Sequence, residues 1–128
     1  MKPERKLWQE LKQKTPKILW TRIENLAIPG VPDLLGYNEN QFFFTVELKI
    51  STAKKIRFSP HQIAFHKLHP KNTFILVKAL ASRHQKLDEY KLYEGASIEQ
   101  LVACGSSLDA CCSGLDACGL LLASLGAS

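Results

Sequence analysis

The chain has 128 residues, 45% of them hydrophobic and 23% charged. That is enough for one domain of ordinary size, not for two, and too apolar for a wholly disordered chain. All 17 basic residues lie between Lys2 and Lys91, against nine acidic ones up to residue 95, so residues 1–95 carry net +8 and residues 96–128 carry −3. A basic domain of this kind has a field suited to a polyanion, of which nucleic acid is the common case. The most apolar run, Leu120 to Leu125, is far shorter than the roughly 20 residues of a membrane span, so no membrane partner is expected. No apolar stretch follows the basic N-terminus as it would in a secretory signal. The expectation is a cytoplasmic protein with its four cysteines as thiols.

Taken in chain order, residues 4–14 predict a helix. Glu4, Leu7, Trp8 and Leu11 share one face, while Lys6, Glu10 and Lys14 line another at i,i+4 spacing. Pro16 ends it. Residues 17–24 alternate as a strand, and the Ala27–Pro32 stretch is a breaker-rich loop. Residues 33–37 and 41–50 predict a hairpin across Asn38-Glu39-Asn40. Its second strand sets Phe42, Phe44, Val46, Leu48 and Ile50 on one side and Phe43, Thr45, Glu47 and Lys49 on the other. A basic loop follows with Lys54, Lys55 and Arg57. Ser59 as N-cap, Pro60 at the first helical position and Gln62 closing a capping box open a second helix, which runs to about His69. Residues 73–80 and 87–93 predict two more strands, and Ser97 caps a last helix starting at Ile98.

From Cys104 the composition turns to Ala, Cys, Gly, Leu and Ser. Leu101, Leu108, Leu115 and Leu122 recur every seven residues, as do Cys104, Cys111 and Cys118, a heptad pattern suited to a helical seam. Gly105, Gly114, Gly119 and Gly126 oppose it, each costing about 1 kcal/mol in a helix, so a helical and an irregular tail both stay open. The cysteines read as small apolar residues. On a helix the heptad-spaced ones stand about 10 Å apart, too far to share a zinc ion.

The residues that point to chemistry are Gly30-Val31-Pro32-Asp33 and Glu47-Leu48-Lys49. Glu47 and Lys49 lie on one strand face, roughly 7 Å apart, and the hairpin brings Asp33 toward them. Two carboxylates and an ammonium then meet at one end of a sheet, and carboxylate oxygens are the hard ligands Mg2+ takes, with waters completing its shell. By itself the pair also fits a solvated strand face. Glu4 is the acid on the apolar helix face, where a charge needs a partner; Glu10 is explained as a surface residue between Lys6 and Lys14. Glu24 is a third candidate beside the loop to Asp33. His61, His66 and His69 sit on one short helix without a compelling metal spacing.

The order of these elements changes the weight of that pair. A helix with Glu4, a strand, Gly-x-Pro-Asp, a hairpin, Glu-x-Lys, a basic loop and a Ser-Pro-His-Gln helix start resemble the PD-(D/E)XK nuclease superfamily. They resemble most its small stand-alone virus-type replication–repair nucleases (VRR-NUC), and are also similar to Holliday junction resolvases. The resemblance covers about residues 4–80. It implies a restriction-endonuclease-like α/β core, a mixed sheet of about five strands flanked by helices, in a nuclease domain over 1–103 with a tail over 104–128.

The resemblance further implies Asp33, Glu47 and the Leu48 backbone carbonyl as metal ligands, with Glu4 as a further candidate. Lys49 becomes the catalytic lysine, and Gln62 orients it or the attacking water. Lys54, Lys55, Arg57 and His61 are expected at the DNA backbone. The implied function is a Mg2+-dependent endonuclease, with Mn2+ able to substitute, cutting branched DNA in replication, recombination or repair as a homodimer. The alternatives are a non-catalytic nucleic-acid-binding module of the same fold and a sequence-specific restriction-type nuclease.

Overall fold

The structure is a computed structural model and describes residues 2–23 and 28–127. Six strands form one mixed sheet in chain order: β1 (Leu19–Arg22), β2 (Leu34–Tyr37), β3 (Phe43–Ser51), β4 (Thr73–Ala79), β5 (Glu89–Glu94) and β6 (Cys112–Ser113). Neighbours are antiparallel except β3 and β4, which run parallel and are joined through helix α2 (Pro60–Leu68). A parallel pair needs such a crossover, whereas a hairpin does not. The α/β class and mixed sheet agree with the sequence. The sixth strand comes from the Cys-rich tail, which offers only two residues of ladder opposite Lys91 and Leu92 and no alternating pattern to reveal it.

Both faces of the sheet are covered. Leu7 and Leu11 of α1 (Pro3–Lys14) and Cys118 and Leu122 of α4 (Leu115–Ser124) pack with Leu34, Phe44, Val46, Leu48, Phe74, Leu76 and Leu92. On the other face Ile63 of α2 and Ile98 and Leu101 of α3 (Ile98–Cys104) pack with Ile75, Val77 and Tyr93. Strand β4 is therefore buried at every position, as expected of a strand between two helical layers. Gly36 permits one close crossing in the first layer: a Cβ there would stand 2.5 Å from the Phe44 ring and 2.9 Å from Trp20. Those two rings instead meet edge to face at 5.5 Å.

Helix α2 begins as its sequence predicts. Ser59 Oγ accepts the Gln62 N–H and Gln62 Oε1 accepts the Ser59 N–H, the full capping box with Pro60 at the first position. The Ser97 cap is corrected: a 3-10 turn, Gly95–Ser97, runs straight into α3, so the Ser97 side chain makes no cap bond.

The heptad seam is corrected too. Gly105 at φ +62° ends α3, a second 3-10 turn follows, and helix resumes only after Gly114 at φ +90°. The short α4 folds back onto the domain, burying Cys118 and Leu122 in the main core, while Cys104 and Cys111 are exposed. All four cysteines are free thiols.

Glu10 is not a surface residue paired with Lys6 and Lys14. Its carboxylate accepts from Lys78 Nζ at 2.8 Å and from Tyr90 Oη at 2.6 Å, tying α1 to β4 and β5. Lys78 is buried in the middle of the sheet and needs that acid. Lys14 pairs instead with Asp116 of α4. Among the described residues no helix is long and apolar enough to cross a membrane.

Candidate active site

The site forms where the β2–β3 ladder stops. That ladder runs from Tyr37 opposite Phe43 to Leu34 opposite Val46, while β3 continues beside β4 as far as Ser51 opposite Ala79. Beyond Val46, β3 thus has no strand on its β2 side among the described residues. Asp33, the residue just before β2, fills the first gap: its Oδ2 accepts the Leu48 N–H at 2.8 Å. A residue in a strand points its N–H and C=O to the same side, so the Leu48 carbonyl also opens toward Asp33. Upstream, Asp33 is held through its own carbonyl, which accepts the Ile23 N–H at 2.8 Å.

Glu47 lies 3% exposed, with Oε1 buried and without a hydrogen-bond partner. Burial first, and then hydrogen bonding with and repulsion from the Asp33 carboxyl, push the Glu47 carboxyl far above the ordinary carboxylate range. Lys49 pulls it down and Glu4 adds to the rise. The expected polar face of β3 is therefore enclosed at Glu47, which removes the solvated-face reading.

Lys49, two residues on, donates from Nζ to Gln62 Oε1 at 2.9 Å and lies over the Phe58 ring, 5.0 Å from its centroid. The Gln62 oxygen that caps α2 therefore also holds the lysine.

Glu4 is brought to the same place in a different way from that expected. It is exposed in the first turn of α1, not buried on the apolar face. Partial burial of its carboxyl, and then Asp33, raise its pKa. Glu4 lines two clefts. One, of about 680 Å³, also takes in Asp33, Leu48, Lys2, Arg5 and Arg22; the other, of about 430 Å³, takes in Lys49, Lys55 and Arg57. Lys55 and Arg57 thus join the site, whereas Lys54 diverges. It adopts φ +65° in the turn after β3, and its carbonyl accepts the Ser106 N–H on the far side. Lys2, Arg5 and Arg22 were missed by sequence reasoning. Only the docking of α1 and β1 beside Asp33 brings them in, and no local pattern marks them. Glu24 lies outside the described residues.

The loop before Asp33 is pinned against α2. Gly30 has φ +88°, and a Cβ there would come within 2.4 Å of the His61 carbonyl oxygen. His61 is exposed at this contact. His66 is wholly buried, and His69 stacks on Phe65 at 4.2 Å, so the three histidines do not gather.

Among the described residues no three His, Cys, Asp or Glu side chains are close enough to hold an ion by themselves. The donors present still fit a hard cation. Mg2+ is commonly held by one or two carboxylates and keeps several waters. The orphaned Glu47 oxygen, the adjacent Asp33 carboxylate and the Leu48 carbonyl, which opens to their side, supply such a set. No family model matches the chain, and no curated protein or solved structure is detectably similar to it.

Proposed function

We propose that the protein is a divalent-metal-dependent DNA endonuclease with a restriction-endonuclease-like core, acting on branched DNA as a homodimer. The observation that carries this reading is Glu47: a carboxylate buried in β3, one oxygen unpartnered, beside Asp33 and two residues from an anchored lysine. Such a carboxylate is costly in a fold. A hard cation offsets that cost.

In this reading Asp33, Glu47 and the Leu48 carbonyl would hold Mg2+, or Mn2+ in its place, which when bound would supply Lewis-acid polarisation of a phosphate oxygen and a water of lowered pKa. The chain's own residues do the rest. Lys49 places a compact positive charge where negative charge develops on the phosphate oxygens, and Gln62 holds that ammonium in place. Glu4, which lines both clefts, is suited to orient water. Lys55, Arg57, Arg5 and Arg22 flank the carboxylates and would fix the neighbouring phosphates, contacts that position a duplex without reading its sequence.

The test is a gel with purified protein, Mg2+ or EDTA, and labelled linear, flap and four-way-junction DNA. Mg2+-dependent cutting of the branched substrates, lost in Lys49→Ala, is expected. Lys49→Arg should not restore it, since a planar guanidinium is no substitute for a compact ammonium. Binding without cutting would favour a non-catalytic module, and discrete fragments from linear duplex a sequence-specific nuclease.

A further inference from the structure

On the sheet face that carries Glu47 and Lys49, β1 and β2 leave an apolar row open. Leu19, Tyr37 and Phe43 stand opposite one another across β1, β2 and β3. Residues paired in this way project to the same side, and Phe43 shares its side of β3 with Glu47 and Lys49. Leu19 is 71% and Phe43 58% exposed. The Tyr37 and Phe43 rings lie 4.4 Å apart and form one tilted aromatic surface. The helices that cover this face, α2 and α3, pack over β4 and β5 instead.

The platform is rigid for a hairpin end. Asn38 is 3% exposed, and its Oδ1 accepts the N–H groups of Asn40 and Phe42. Its Nδ2 donates to the Leu122 and Leu125 carbonyls at the end of α4, and Asn40 Nδ2 also reaches Leu125. Lys71 and Lys17, the latter in an exposed ion pair with Glu39 at 3.9 Å, stand at the two rims. Lys17 precedes β1, and Lys71 precedes Asn72, whose carbonyl accepts the Thr45 N–H.

We infer that Tyr37 and Phe43 form a stacking platform for an unpaired nucleotide, so that the preferred substrate carries a single-stranded arm beside the cleaved duplex. The Phe43 ring is exposed and the Tyr37 ring half-buried beside it; accessible aromatic rings near cations are what single strands use, because every base offers a π-face and every nucleotide a phosphate. Along β3 the platform stands about 13 Å from Glu47, a few nucleotides from the carboxylates. The inference rests on the proposed nuclease reading for its direction, but its test does not.

The experiment uses the full chain and a fluorescein-labelled oligothymidylate in EDTA, with fluorescence anisotropy as readout. Phe43→Ala should weaken single-strand binding about 5- to 100-fold, Phe43→Trp should restore it, and Phe43→Leu should not. Affinity for linear duplex should change less than twofold in all three. Equal single-strand affinity of wild type and Phe43→Ala would overturn the platform. So would sedimentation showing a wild-type dimer that Phe43→Ala turns into monomer, because the face would then be a subunit interface. A platform that binds in a protein that cuts nothing in Mg2+ would remove the nuclease reading alone. Cleavage of a flap with no dependence on Phe43 would remove the platform alone.

Discussion

Lys49 Nζ and Gln62 Oε1 are 2.9 Å apart, and that same oxygen accepts the Ser59 N–H that begins α2. The start of a helix and the position of a buried-strand lysine are thus set by one side chain.

Separating those two roles is straightforward. Ser59→Ala removes the hydroxyl that caps the Gln62 N–H and should cost about 1 kcal/mol of stability, with cleavage nearly unchanged. Gln62→Ala should lose similar stability and, in addition, at least tenfold in cleavage, because Lys49 loses its anchor. Thermal unfolding and single-turnover cleavage of both variants check this. Equal activities in the two would reduce Gln62 to a cap.

Metal binding should be visible without any substrate. Mg2+ bound only by the folded chain raises its melting temperature, with a stabilisation that grows as the logarithm of the ratio of ion concentration to dissociation constant. Wild type in Mg2+ is therefore expected to melt above wild type in EDTA, whereas Glu47→Gln and Asp33→Asn should show no such difference. Glu47→Gln should itself melt no lower than wild type in EDTA, since it removes a carboxylate that is buried without a hydrogen-bond partner on Oε1. Both variants should keep DNA binding and lose cleavage.

The three basic residues after β3 should no longer behave alike. Lys55 and Arg57 line the cleft with Glu4 and Lys49, whereas Lys54 does not; it lines a far cleft with Ser106, and meets Lys55 and Arg57 only in a third cleft away from the carboxylates. Replacing Lys55 and Arg57 with Ala should flatten the log–log salt dependence of DNA binding by about 2. Lys54→Ala should leave the slope unchanged. A drop of one with Lys54→Ala would carry the DNA path past the turn to the far cleft.

His66 makes stability pH-dependent. It is fully buried, and both ring nitrogens lack partners. Burial, and then the charges of His69 and Lys49, bring its pKa down from 6.5 to about 4. Between those values the unfolded chain binds a proton that the folded chain refuses, so the His66 contribution to stability rises with pH across that window, opposed there by Glu47, whose raised carboxyl pKa acts with the opposite sign. The contribution of His66 is a loss of about 2 kcal/mol on going from pH 7 to pH 5. Denaturant unfolding of wild type and His66→Leu at the two pH values measures it: the stability at pH 7 minus that at pH 5 should be about 2 kcal/mol smaller in the variant than in wild type, the part due to Glu47 being common to both.

Local physics made much of this protein legible in its sequence. The capping box of α2, the alternation of β3, the hairpin at Asn38 and the α/β class depend on residues a few positions apart, and those forces act wherever the chain lies. The approach of Asp33 to Glu47 and to the Leu48 N–H followed from one hairpin register.

What the tertiary structure decided involves partners distant in sequence. Glu10 looked like a surface acid because its helix neighbours are Lys6 and Lys14; its partner is Lys78, and a strand of unbroken apolar character gives no sign that its one lysine is buried and needs a counter-charge. Arg5 and Arg22 reach the candidate site only because α1 and β1 dock beside Asp33. The tail repeats in heptads, yet its glycines at positive φ break the helix, and the pieces gain more by burying Cys118 and Leu122 in the existing core than by forming a seam of their own. Periodicity states which residues can share a face; only packing states what that face meets.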